Sequence, residues 1–302
     1  MILEQGRGPL IHMLMFRDDV HLYPVNPKQF VRYRESFSNA GVKSDLTDAR
    51  LLAQMLSERI KQLIEWRPDD DATRSLDELC RTRRKLVDIR TKTIQKLTAL
   101  LKDCFPQALS LPGITAFSTL WIALMRRWPA WQAMKSADRR TIRSVCNENN
   151  FRNDTKQKTL IDSIRSSTKA CRDDAVIQAG TVMIEMLVEE LRVLQKAIAE
   201  TAAAIEEVMD QHGDADLFRN LPGAGEAQAP RLQAAFGSQR DRFKSADDLA
   251  GWCGIAPVTK QSGTSKVATM RHACSKYLKQ TFHEFANSAR KWCPWSKAYH
   301  DM

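Results

Sequence analysis

The sequence predicts an α/β segment followed by a mainly helical chain, and three observations carry that expectation. Short strand-like and helical runs alternate over the first 65 residues. Between about 176 and 210, apolar residues recur at alternating spacings of three and four. In the last third, Pro222-Gly223-Ala224-Gly225 forms a turn that feeds a further helix.

Residues 1–65 read as a short strand at Met1 to Glu4, a helix from Pro9, a strand from Val20 to Val25, and a helix entered through Ser44. The opening run looks like the interior of a buried strand, yet no earlier strand exists for it to pair with, so a segment is expected to be missing upstream. Residues 66–215 form a helical region. Within it Ile184, Leu187, Leu191, Leu194, Ile198, Thr201, Ile205 and Val208 make a heptad seam. A helical hairpin, a dimerising coiled coil or a stripe buried in its own domain would each explain that seam. Residues 111–175, with Trp121, Trp128 and Trp131, look like an inserted helical subdomain, and residues 216–302 form a separate C-terminal domain.

With 302 residues, 43% of them hydrophobic, the chain can build two or three packed domains. Its net charge of +10 favours a polyanionic partner such as nucleic acid. Residues 216–302 carry 13 Lys and Arg against 7 Asp and Glu, which puts more than half of that excess in the last third. Seven cysteines without a Cys-x-x-Cys pair and without a secretory signal imply reduced thiols and a cytoplasmic protein. The spacing of Cys274, His283 and Cys293 fits no zinc pattern. No apolar run approaches the length of a membrane span.

Four features could carry chemistry. Asp45 and Asp48 stand three apart on one helix and share a face, where they would either hold a divalent metal or simply favour the helix N-terminus behind Ser44. Glu4, next to Ile2 and Leu3 on an apolar strand, needs a partner or solvent. The turn at Gly223 and Gly225 resembles a helix-hairpin-helix turn that aims backbone N–H groups at a phosphate, or is an ordinary interhelical turn. Ser262 lies in a polar loop between Lys260 and Lys266 with Arg271 beyond, a setting for a nucleophile flanked by cations or for a plain surface loop; Ser265 competes for the role.

In order along the chain, Leu3-Glu4-Gln5-Gly6-Arg7-Gly8, Tyr23-Pro24-Val25-Asn26-Pro27, Lys43-Ser44-Asp45-Leu46-Thr47-Asp48-Ala49, Leu221-Pro222-Gly223-Ala224-Gly225 and Gly254-Ile255-Ala256-Pro257-Val258 with Ser262-Gly263 resemble the insertion-sequence one-ten family of transposases. The resemblance implies an incomplete RuvC-like, ribonuclease-H-type domain over residues 1–65. It also implies a coiled-coil region over 66–215 and a mainly helical serine transposase domain over 216–302.

By the same resemblance, Glu4, Asp45 and Asp48 are the second, third and fourth acids of a catalytic quartet and hold Mg²⁺, and Ser262 is the nucleophile. Gly223, Gly225, Lys260, Lys266 and Arg271 are expected to bind DNA. A structured guide RNA and a homo-oligomer paired through the coiled coil are the other expected partners. The first acid has no counterpart, and the chain is expected to be truncated at both ends, which would impair activity. A catalytically inactive nucleic-acid-binding remnant is therefore the alternative function, and a structural coiled-coil protein a third.

Overall fold

A computed structural model describes residues 1–4, 6–37 and 44–302; Gln5 and Lys43, members of two of the motifs above, lie outside them. The chain begins with β1 (Ile2–Leu3), α1 (Pro9–Leu14), β2 (Tyr23–Pro24), α2 (Pro27–Glu35) and α3 (Asp45–Arg59). A long helix α4 (Asp71–Cys104) leads to α5 (Thr119–Arg127), α6 (Trp131–Ser136), α7 (Arg139–Glu148) and α8 (Asp154–Ser166), and a second long helix α9 (Asp174–Asp210) returns. The remainder comprises α10 (Ala215–Arg219), α11 (Gly225–Phe236), α12 (Ala246–Cys253), the hairpin β3 (Val258–Ser262) and β4 (Ser265–Thr269), α13 (Lys276–Trp292) and α14 (Pro294–Asp301). Among the described residues the architecture is mostly helical, with two small sheets.

Packing divides the chain into two units, Arg81–Ala204 on the one hand and Met1–Cys80 with Ile205–Met302 on the other. In the unit Arg81–Ala204, α5 to α8 close over apolar faces of α4 and α9. Trp121 is fully buried, and its indole N–H donates to the Ala108 carbonyl at 2.6 Å, so the ring fills the core without leaving its polar atom orphaned. Thr93 of α4 reaches Glu190 of α9 at 3.1 Å, and Gly180 leaves room for Cys104, whose sulfur would lie 2.9 Å from an added Cβ.

The heptad seam is consumed inside the chain. Ile184, Leu187 and Leu191 are buried in one core with Leu97, Leu101 and Trp121, and Leu194 and Ile198 are buried as well. Side chains that a dimerising coiled coil would offer to a second copy are already covered, because α4 supplies an antiparallel partner within the same chain.

In the other unit the first strand finds its partner downstream. β1 and β2 pair in parallel, Ile2 opposite Tyr23 and Leu3 opposite Pro24. Ile2, Val25, Phe30, Tyr33 and Met55 form a small core beneath them. Helix α2, which the sequence reading does not anticipate, starts where Asn26 accepts from the Lys28 N–H at 2.9 Å and Pro27 occupies the first helical position. Ser44 takes the N-cap position of α3 in extended backbone, but its hydroxyl makes no capping bond.

The two sequence-distant halves of this unit are tied by Asp69. Its carboxylate accepts from the backbone N–H groups of Ser238 and Gln239 at 2.7 and 3.0 Å and from the Arg242 guanidinium at 2.6 Å. A second core gathers Leu76 and Cys80 with Ile205, Met209, Phe218 and Leu232. Residues 1–80 and 205–302 thus pack as one body.

Candidate functional site

Ser262 does not lie in an irregular loop. It ends β3 of an antiparallel hairpin whose register pairs Val258 with Thr269, Lys260 with Val267, Gln261 with Lys266 and Ser262 with Ser265. Gly263 and Thr264 make the two-residue turn, and Gly263 has a φ of 56°, as such a turn requires at its first central position. Except at its base the hairpin is exposed on both faces, so no apolar alternation marks it in the sequence.

The register sorts the polar side chains. Residues two apart on a strand, and residues directly opposite on its neighbour, share a face. Lys260, Ser262 and Ser265 therefore lie on one face, whereas Lys266, opposite Gln261, lies on the other. Ser262 and Ser265 have Cβ atoms on the order of 5 Å apart, the usual separation of a directly paired couple. Arg271 stands two residues beyond the base of the hairpin, and its Nε donates to the Ala256 carbonyl at 3.3 Å.

Gly254, which opens this motif, ends α12 with a left-handed φ of 77°. An added Cβ would meet Cys274 at 2.3 Å. Only glycine lets the chain turn there and run into β3.

The glycines of the Pro222–Gly225 turn have different surroundings. At Gly223, φ is 83° and a Cβ would come within 2.7–2.8 Å of the backbone of Ser288 and Ala289, so this glycine lets the turn press against α13. At Gly225, φ is 56° and an added Cβ would meet nothing within 4 Å; it begins α11 in open space, where backbone N–H groups remain approachable. Behind the turn, Arg231 of α11 donates to Glu284 and, at 2.8 Å, to Thr281 of α13, which locks the two helices together. Burial pushes the Glu284 carboxyl up, but the Arg231 bond and charge with Gln280 and Gln228 outweigh it, and the carboxyl sits below its ordinary range.

Among the acids, Asp48 is buried on α3, and Arg34 of α2 donates to both of its oxygens at 3.2 and 3.1 Å. Glu4, just after β1, and Asp45, at the first position of α3, are exposed. β1 packs against α3, so the segments that carry the three acids are neighbours.

Comparison with known proteins matches both ends of the chain. A family model described as a DEDD-type IS110 transposase matches residues 1–106, and one described as "Transposase IS116/IS110/IS902 family" matches residues 215–301. The chain belongs to the IS110 family of transposases.

Its curated relatives include the "Mini-circle putative transposase for IS117" of Streptomyces coelicolor, 24% identical over 99% of this chain and 73% of that protein. An uncharacterized 42 kDa protein of insertion element IS900 from Mycobacterium paratuberculosis is 28% identical over 86% of the chain, and an uncharacterized 43.6 kDa protein of IS110 from Streptomyces coelicolor is 26% identical over 74%. The chain spans 64% and 54% of the lengths of these two.

Both matching models are described as transposases. A DEDD-type domain points to a divalent metal. Among the described residues, however, no three His, Cys, Asp or Glu side chains converge as a metal would require. Asp48 is bound by a guanidinium, and Glu4 and Asp45 are solvated, so in this arrangement the three acids do not fit a common ion. No helix among the described residues is long and apolar enough to cross a membrane.

Sequence reasoning missed the cations of α2. Arg34 holds Asp48, while Lys28 and Arg32 line a cleft with Arg59 and Arg271. The Asn26-Pro27 cap inside a quoted motif was the signal that could have revealed this helix.

Proposed function

We propose that this member of the IS110 family is a DNA transposase that cuts and rejoins DNA through Ser262. The observation that carries the reading is the placement of Ser262 at the tip of an exposed hairpin, on one face with Lys260. A projecting hydroxyl reaches a phosphodiester without displacing protein. In the proposed step the Ser262 oxygen bonds to phosphorus, its proton passes to solvent, and a sugar oxygen leaves with the electron pair of the broken P–O bond and takes up a proton. The Lys260 ammonium favours the charge that builds on the phosphate oxygens. The serine phosphoester retains the bond, so rejoining is the reverse attack by a sugar hydroxyl.

By family resemblance the reading extends to a structured guide RNA and would put Mg²⁺ at Glu4, Asp45 and Asp48, acids that do not fit a common ion while Arg34 holds Asp48. Copies acting together would meet on a surface other than the covered seam.

A specific observation also favours a second reading, an inactive nucleic-acid-binding remnant: the described acids form no cluster, and the most buried of them is neutralised by Arg34. The test is to incubate the chain with end-labelled DNA and Mg²⁺ and to look for a denaturation-resistant protein–DNA adduct. Ser262→Ala should abolish the adduct and Ser265→Ala should retain it. An adduct lost only with Ser265 would transfer the nucleophile to the opposite strand, and salt-sensitive binding without any adduct, with RNA transcribed from the DNA flanking the reading frame also supplied, would favour the remnant.

A further inference from the structure

One cleft in the body formed by residues 1–80 and 205–302 is lined by Lys28 and Arg32 of α2, Arg59 at the end of α3, and Arg271 beyond the hairpin, with Tyr33 and Ser36 between them. It encloses about 510 Å³, and among the described residues no carboxylate lines it. Several arginines elsewhere in the chain are answered by acids: Arg84 by Asp88, Arg126 by Glu189, Arg219 by Asp210, Arg240 by Asp214 and Arg242 by Asp69. Among the described residues none of the four cleft cations makes an ion pair, although Arg59 feels the charge of its neighbour Glu58. Four like charges around one cavity repel one another unless an anion enters.

The local structure explains how they meet. Phe30 and Tyr33 turn α2 onto its core and Arg34 faces Asp48, which leaves Lys28 and Arg32, four apart on the same helix, on a free face. Arg59 lies over the Tyr33 ring at 5.1 Å, which holds a long side chain at the rim. Among the described residues Arg271 spends only its Nε–H, on Ala256, and keeps its other four donors.

We infer that Lys28, Arg32, Arg59 and Arg271 form a phosphate-binding cleft that grips the DNA backbone beside the serine hairpin; the inference rests on Ser262 acting on DNA. From its base near Arg271 the hairpin runs four residues to Ser262, about 13 Å at roughly 3.3 Å per residue. With one phosphate per strand every ~3.4 Å along a duplex axis, that reach corresponds to about four base-pair steps. The cleft holds the duplex while the tip engages a phosphate a few steps away. Arg59 and Arg271 come from opposite ends of the sequence, so the cleft exists only when the acidic segment and the serine segment are packed together.

The test is binding of the full chain to a fluorescein-labelled DNA duplex and, separately, to a single-stranded RNA of equal length, over a series of salt concentrations. Lys28→Ala combined with Arg32→Ala should raise the Kd for duplex DNA at least tenfold. It should also flatten the dependence of log K on log salt by about 2, at roughly 0.9 per phosphate contact. A Kd within twofold of the parent with an unchanged slope would overturn the inference, and so would a loss confined to RNA. If the double variant does not fold, as judged by circular dichroism, Lys28→Gln and Arg32→Gln at these exposed positions carry the same test singly, each with about half the change in slope. A flattened slope in a chain that forms no adduct refutes the serine reading alone. An adduct with an unchanged slope refutes the cleft alone.

Discussion

The Arg81–Ala204 unit and the hairpin at residues 258–269 are built on opposite terms. The first buries Trp121, Leu97, Leu101, Leu124, Met125 and Leu191 completely, and its conformation follows from where apolar surface can be hidden. The second exposes almost every side chain, and its conformation follows from backbone pairing and one glycine turn. Buried apolar surface is concentrated in the first, and the hydroxyl proposed as the nucleophile projects from the second. Substitutions in the two should accordingly separate folding from chemistry.

Trp121→Ala has the largest expected effect. It removes a fully buried ring and strands the Ala108 carbonyl, and should cost about 3–5 kcal/mol in urea or thermal unfolding. Ser262→Ala, measured the same way, should change stability by less than about 0.5 kcal/mol. The contrast breaks if the two losses are comparable.

Gly223→Ala comes next. Its Cβ collides with the α13 backbone at a φ of 83°, for a cost of about 2–4 kcal/mol. Gly225→Ala meets open space and should cost about 1 kcal/mol, all of it from the positive φ. Paired unfolding curves for these variants would sharpen the difference between a glycine that serves packing and one that leaves a helix end approachable.

Arg34→Ala should destabilise by about 1–3 kcal/mol, because it leaves the largely buried Asp48 without its counter-charge; Arg34→Lys should recover part of that. Equal stability of all three proteins would show that Asp48 finds another partner.

The Arg231–Glu284 lock is expected to be pH-dependent. The Glu284 carboxyl is held below its ordinary range in the folded chain, so its contribution is present above the unfolded value of about 4.3 and is lost as pH falls through the folded one. Unfolding of the parent and Glu284→Gln, followed from pH 6 downward, should converge as that contribution disappears. Parallel curves would refute the assignment.

The smallest expected effect is on thiol reactivity. Burial pushes the Cys253 thiol up to about 12, whereas hydrogen bonding by Ser296 lowers the partly exposed Cys293. Alkylation near pH 8 followed by peptide mapping should label Cys293 well before Cys253. Equal rates would mean that the C-terminal body opens readily.

Several elements were legible from the residues alone, each for a local reason. Helix α11 begins at its glycine turn, as the Pro-Gly-x-Gly signal implies. The seam on α9 is a genuine buried stripe, because spacings of three and four put those residues on one helical face. The family was legible because its motifs are short and ordered along the chain.

Periodicity names a buried face without naming what covers it, so only the folded chain shows that α4 fills that place. An exposed hairpin leaves no apolar alternation to read, so strand register alone puts Lys260 beside Ser262 and Lys266 on the opposite face. The pairing of Arg34 with Asp48, and of Arg59 with Arg271 across one cleft, links residues 14 and 212 positions apart. Local propensity carries no information over such separations, and the tertiary structure decides them because packing brings together residues that the sequence keeps apart.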